Sequence, residues 1–118
     1  VRSTDAVGRY GENVAATHLA RAGWQVLDRN WRGEAGEVDI VALDGATLVI
    51  VEVKTRRGDG YGHPAEAVTR RKVARLRRLA GQWLATHDLH PTGVRIDVIA
   101  VRVERRGSAG IEHLVGVS

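Results

Sequence analysis

The sequence predicts an α/β fold, a mixed sheet with a central β-hairpin flanked by helices. Three observations lead there. The stretch from Gly36 to Thr55, GEVDIVALDGATLVIVEVKT, holds two β-branched runs around Asp44-Gly45, a strong hairpin turn signal. Both faces of that hairpin are apolar, so it needs cover on both sides. Segments with helical apolar spacing lie before and after it.

In chain order, Ser3-Thr4-Asp5 offers N-caps for a helix from Ala6 to Ala22, with Gly23 as its stop. Its apolar stripe is Val7, Gly11, Val14, Ala15, His18, Leu19 and Ala22, small enough in places to approach a sheet closely. Glu12 stands at the rim of the stripe. It reads either as a solvated residue paired with Arg9 or as a carboxylate half turned toward the core. His18 reads as a satisfied core histidine rather than a ligand. Trp24 to Asn30 alternates as a strand, Gln25, Leu27 and Arg29 against Val26 and Asp28. Beyond it, Trp31 and Arg32 fit either a base-stacking and phosphate-gripping pair or a core-edge cover.

The hairpin arms, Val38 to Leu43 and Thr47 to Val53, fix which side chains meet. A two-residue turn opposes Leu43 and Ala46, and a four-residue turn opposes Asp39 and Glu52. In both registers Asp39, Glu52 and Lys54 share a face, unless a one-residue bulge intervenes. The opposite face is then Val38, Ile40 and Ala42 with Val49, Val51 and Val53. Val41, Leu43, Leu48 and Ile50 make the first face apolar too. Carboxylates ending such a buried sheet need a compensating cation. Two explanations fit: Lys54 forms an ion pair at a sheet edge, or the carboxylates bind a hard divalent cation while Lys54 stabilises a nearby phosphate or positions a water. The hairpin context favours the second.

After Lys54, TRRGDGYGHP reads as a loop, with Arg56, Arg57 and His63 beside the carboxylates, serving either substrate contact or plain connection. Thr69 caps a helix from Arg70 to about Thr86 whose buried face is Val73, Leu76, Ala80, Trp83 and Leu84. Arg70, Arg71, Lys72, Arg75, Arg77 and Arg78 put six cations in nine residues. That density suits a phosphate backbone, the alternative being a solvated face. Pro91 and Gly93 mark a turn before a strand from Val94 to Val103. Its Asp97 reads as structural, paired with Arg95 or Arg102. The RRGSAG bend leads to a last strand from Ile111 to Val117.

At 118 residues the chain is expected to be one domain, residues 1–118. Without cysteine it has neither disulfides nor thiolate metal sites, leaving oxygen and imidazole as ligands. No apolar run approaches the roughly 20 residues that span a bilayer, and the first residues lack a signal-peptide core, so no membrane partner and a cytoplasmic location are expected. A first residue other than Met points to processing or trimming. The net charge of +4 is compatible with a polyanionic partner.

The order helix, strand, hairpin, helix, strand, with an acid on the first hairpin arm and ExK on the second, resembles the PD-(D/E)xK restriction-endonuclease-like nucleases. Within them, GRYGENVAATHLARAGWQVLDRNWR, GEVDIVA, VEVKTR, EAVTRRK and RIDVIAV resemble the YraN family of small bacterial proteins, over nearly the whole chain. The chain is also similar to the archaeal Holliday-junction resolvases, where a glutamate on the first helix joins the acid and ExK set. The resemblance implies a restriction-endonuclease-like three-layer core. It implies Asp39 and Glu52 as ligands of Mg²⁺ or Mn²⁺ with the Val53 carbonyl as a third, and Lys54 orienting water or stabilising the phosphate. Glu12 would complete the site directly or through water. The motif's proline is replaced by Val38. The expected function is a metal-dependent nuclease acting on DNA more than on RNA, possible on branched or structured DNA and as a homodimer. Arg32, Arg56, Arg57, Arg70, Arg71, Lys72 and Arg75 are the expected nucleic-acid contacts. The alternative is a binding module that keeps the fold without cutting.

Overall fold

The computed structural model describes residues 6–57, 68–104 and 109–117. Its elements run α1 (Ala6–Arg21), β1 (Gln25–Gly33), β2 (Gly36–Asp44), β3 (Thr47–Arg57), α2 (Arg70–Ala85), β4 (Gly93–Val103) and β5 (Ala109–Leu114). The strands form one open sheet in the order β1-β2-β3-β4-β5. Only β3 and β4 are parallel, joined through α2, so the sheet is mixed. No helix among the described residues is long and apolar enough to cross a membrane.

The helices lie on opposite faces because the hairpin is apolar on both. Under α1, Ala15 and Leu19 pack with Ile40, Ala42, Val49, Val51, Ile99 and Val101. Under α2, Leu76, Leu79, Ala80 and Trp83 pack with Val38, Val41, Leu48, Ile50 and Ile96. Leu79 joins the expected face of α2, while Val73 and Leu84 are only partly buried. α1 ends and α2 begins close to their sequence signals, while the expected caps Ser3-Thr4-Asp5 lie outside the described residues. Gly23 leaves α1 at φ 89, and the Thr69 hydroxyl accepts the Lys72 N–H at 3.1 Å.

The hairpin turn is Gly45-Ala46, one residue later than the Asp44-Gly45 expected, since Asp44 still pairs with Thr47. Gly45 takes φ 62, a conformation cheap for glycine. The resulting register opposes Leu43 to Leu48 and runs to Ile40 opposite Val51, where the pairing ends.

Val38 departs from expectation. It packs under α2, whereas Ile40, two residues on, packs under α1. Strict alternation therefore fails around Asp39. The neighbouring strand shows why: Asn30 has φ 53 and lies between the pairs Arg29↔Ile40 and Trp31↔Val38, opposite Asp39. Such a residue twists the ribbon, and Asn tolerates it better than most. Trp31 accordingly packs against the α2 cluster as a core cover. A second irregularity between Val26 and Asp28 places Leu27 and Asp28 both toward α2, where Asp28 accepts the Trp83 indole N–H at 3.2 Å.

Strand lengths also differ. β1 runs on to Gly33 because it pairs with β2 through Gly36. β3 continues to Arg57, paired in parallel with β4 up to Val103, so Thr55, Arg56 and Arg57 are strand and not loop. β5 stops at Leu114, but the chain keeps on beside β4, where the Gly116 N–H donates to the Asp97 side chain and not to backbone, and the Val117 N–H donates to Ile96 O at 2.9 Å. The rest of the expected loop, His63 included, lies outside the described residues.

Candidate active site

β2 and β3 are backbone partners from the turn to Ile40 and Val51, and then the pairing ends. A buried N–H left there without an acceptor would be costly. The Asp39 side chain fills that role: its Oδ2 accepts the Val53 N–H at 2.8 Å. In an extended strand a residue's N–H and C=O point to the same side, so the Val53 carbonyl also faces the Asp39 side of β3. Asp39 and Val53 are thus brought together where the two strands part, with Glu52 the preceding residue of β3.

Glu52 faces α2. Its Oε2 lies 2.7 Å from Lys72 Nζ, with the two side chains only 13% and 23% exposed. Sequence reasoning placed Lys72 among the nucleic-acid contacts and missed this ion pair. The signal was present: stepping back from Leu76, Leu79 and Trp83 at helical spacing lands on Lys72, a cation on a buried stripe. Lys54, two residues from Glu52, shares its side of the extended strand and is half-buried.

Glu12 arrives from the other face. Its neighbour Gly11 lies so close to Thr55 that a Cβ there would stand 1.8 Å from Thr55 Oγ1. This contact sets half-exposed Glu12 beside the stretch of β3 just past Lys54, on the α1 side, while Glu52 faces α2. Among the described residues, no three His, Asp or Glu side chains stand together as a metal-holding group. The structure therefore ties Asp39 to the β3 backbone next to Glu52 and sets Glu12 on the α1 side of β3.

The remaining cations form a rim. Arg32, Arg57, Arg70, Arg71, Arg77 and Arg78 are exposed, and Arg56 and Arg75 are half-buried. Arg75 reaches over the turn between β1 and β2, its Nη1 2.6 Å from where a Gly36 Cβ would be.

A second polar cluster lies elsewhere on the sheet. Asp97 is fully buried, accepting from Arg95 at 2.9 and 3.1 Å, from His113 Nε2 at 2.8 Å and from the Gly116 N–H at 2.9 Å. Donating to the Asp97 carboxylate raises the pKa of the Arg95 guanidinium above its already high ordinary value. Arg95 also reaches Asp44 at 3.1 Å, and its guanidinium sits 5.2 Å over the Trp24 ring. With His113 Nε2 donating to Asp97, its Nδ1 is left as the acceptor for His18 Nε2, 3.4 Å away. The expected structural role of Asp97 and the expected satisfied state of His18 both hold, but the link through His113 carried no local sequence signal, since the two histidines are 95 residues apart.

The chain was compared with known proteins. It is 59% identical over 117 residues to a UPF0102 protein of Beutenbergia cavernae, covering 99% of each chain. It is 57% identical over 119 residues to one of Kineococcus radiotolerans, covering 100% of this chain and 98% of the relative. A UPF0102 protein of Mycobacterium avium is 58% identical over 113 residues, with 94% and 88% covered. The family's own sequence profile matches residues 11–101, from the Gly11 contact through β4. The chain belongs to the Uncharacterised protein family UPF0102, consistent with its resemblance to the YraN proteins.

Proposed function

We propose that this protein is a metal-dependent phosphodiesterase acting on DNA, built on a restriction-endonuclease-like version of the mixed sheet. The observation that carries the reading is Asp39 anchored to the Val53 N–H beside Glu52, where β2 and β3 part. Asp39 is tied to the backbone next to Glu52, and half-buried Lys54 follows two residues on, so two carboxylates and the Val53 carbonyl are available near one strand end. The donor set fits a small hard cation, since Mg²⁺ takes one or two carboxylates and keeps several waters.

Asp39, Glu52 and the Val53 carbonyl would hold Mg²⁺ or Mn²⁺, with Glu12 acting through water from the α1 side. Bound there, the ion supplies an activated water and neutralises phosphate charge. Lys54 provides a fixed ammonium where negative charge develops on the phosphate. Exposed Arg70 and Arg71 at the start of α2, with Arg32, Arg56, Arg57 and Arg75, supply cations for the backbone of a bound strand.

One observation favours a second reading. Glu52 already has a cation in Lys72, so the pair needs no metal to be stable. On that reading the protein grips DNA or RNA without cutting it, and binding is salt-sensitive and independent of Mg²⁺.

Titrating Mn²⁺ and Mg²⁺ into wild type and Glu52→Ala, with and without duplex or junction DNA, separates the two. Metal binding and metal-dependent cleavage in wild type, both lost in a folded Glu52→Ala, are expected. Cleavage that survives Glu52→Ala sinks the site assignment. Absence of metal binding even with DNA present favours the binding module.

A further inference from the structure

Lys72 stands out among the cations of α2. Arg70, Arg71, Arg77 and Arg78 are exposed, whereas Lys72 is folded inward onto Glu52 at 2.7 Å. Its backbone is held as well, because the Thr69 cap accepts the Lys72 N–H at 3.1 Å. The ammonium therefore works from a fixed base on a flexible four-carbon arm.

The helix does not stabilise this charge. Lys72 belongs to the first turn of α2, which contains no acidic residue and begins with two arginines. The positive end of the helix dipole and like-charged neighbours both disfavour a cation there. Glu52 supplies the compensation, and it does so with the carboxylate that the proposed metal site requires. An ammonium and a divalent ion on one half-buried carboxylate repel each other, so one must yield.

We infer, on the basis of the metal-site reading above, that Lys72 is a positioning residue that holds Glu52 until metal arrives and is then released to a substrate phosphate. In metal-free protein Lys72 takes the place of the cation on Glu52. Metal displaces it, leaving an ammonium at the start of α2, beside Arg70 and Arg71, with no carboxylate to neutralise it. A phosphate diester of the bound strand is the anion that restores neutrality. Metal and nucleic acid then reinforce each other's binding, and the coupling is reciprocal.

The test measures Mn²⁺ affinity of the full chain in wild type, Lys72→Met, Lys72→Arg and Glu52→Ala. Duplex DNA affinity is then measured with and without Ca²⁺, and thermal melts confirm folding. Lys72→Met should bind Mn²⁺ about fivefold or more tightly than wild type, the scale of an ordinary coupling between sites. Lys72→Arg should stay near wild type. Ca²⁺ should tighten duplex binding by wild type and do so much less for Lys72→Met. Mn²⁺ affinity unchanged or weakened in Lys72→Met, with Glu52→Ala still abolishing binding, overturns the role of Lys72 and leaves the metal site standing. Failure of wild type and Lys72→Met alike to bind Mn²⁺, with DNA present, overturns the metal site and this inference with it.

Discussion

The Asp39 carboxylate takes the hydrogen bond from the Val53 N–H, 2.8 Å away, where β2 and β3 cease to pair. Asp39 is therefore structural as well as a candidate ligand. On sequence alone, alanine at 39 or 52 relieves carboxylate repulsion and leaves folding intact. For Asp39 the structure reverses that expectation. Asp39→Ala strands a partly buried N–H and should cost about 1–3 kcal/mol. Asp39→Asn keeps an oxygen acceptor and should melt close to wild type while losing most of the metal affinity. Thermal melts and Mn²⁺ titration of both variants check this, and equal stability of the two would show that the Val53 hydrogen bond contributes nothing.

Gly11 is where α1 touches β3. Alanine normally improves a helix interior by up to about 1 kcal/mol over glycine. Here its Cβ would overlap Thr55 Oγ1 and stand 2.8 Å from Thr55 Cβ, closer than packed carbons approach. The clash outweighs the propensity, and Gly11→Ala should lose about 1–3 kcal/mol as α1 lifts from the sheet. Gly11→Ala/Thr55→Ala removes the shorter contact and should recover part of the loss. Additive effects of the two substitutions in urea melts would mean that the residues do not touch in solution.

Asp97 gathers four hydrogen bonds in a fully buried position, two of them from Arg95. Asp97→Ala leaves the half-buried Arg95 with only Asp44 and strands the Gly116 N–H. A loss of about 3–5 kcal/mol is expected, the usual result of removing one partner of a buried ion pair. Because Asp97 stands level with Val51, which packs under α1, while Glu52 faces α2, any variant protein still folded should retain its Mn²⁺ affinity. A Tm within a degree or two of wild type would contradict the buried network.

How much of this was legible in the sequence depended on whether a feature is local. The two helices, their caps and the hairpin follow from spacing and from residues such as Thr69 and Gly23, whose effects act within one turn of chain. The hairpin register up to Ile40 and Val51 was legible because one hairpin contains both strands. Val38 was misplaced because the twist that moves it originates in Asn30 on the adjoining strand. Lys72 was assigned to nucleic-acid contact because it was read as one of a run of cations, although the helical phase set by Leu76, Leu79 and Trp83 points it inward. The Asp97–His113–His18 chain joins three elements and follows only from the sheet order.

That chain makes stability depend on pH. Burial, and then the neighbouring His113, lower the pKa of His18 below its ordinary value of 6.5. In the unfolded chain His18 takes up a proton as the pH falls through about 6.5, while in the folded protein it resists until a lower pH. Between those two points the unfolded state binds more protons, so stability falls as the medium is acidified and is insensitive to His18 above that window. Glutamine at 18 cannot titrate and keeps a donor. The drop in Tm between pH 7.5 and pH 5.5 should therefore be smaller in His18→Gln than in wild type, while at pH 7.5 the two should melt within a few degrees of each other. Equal drops in both proteins would show that other groups carry the acid sensitivity.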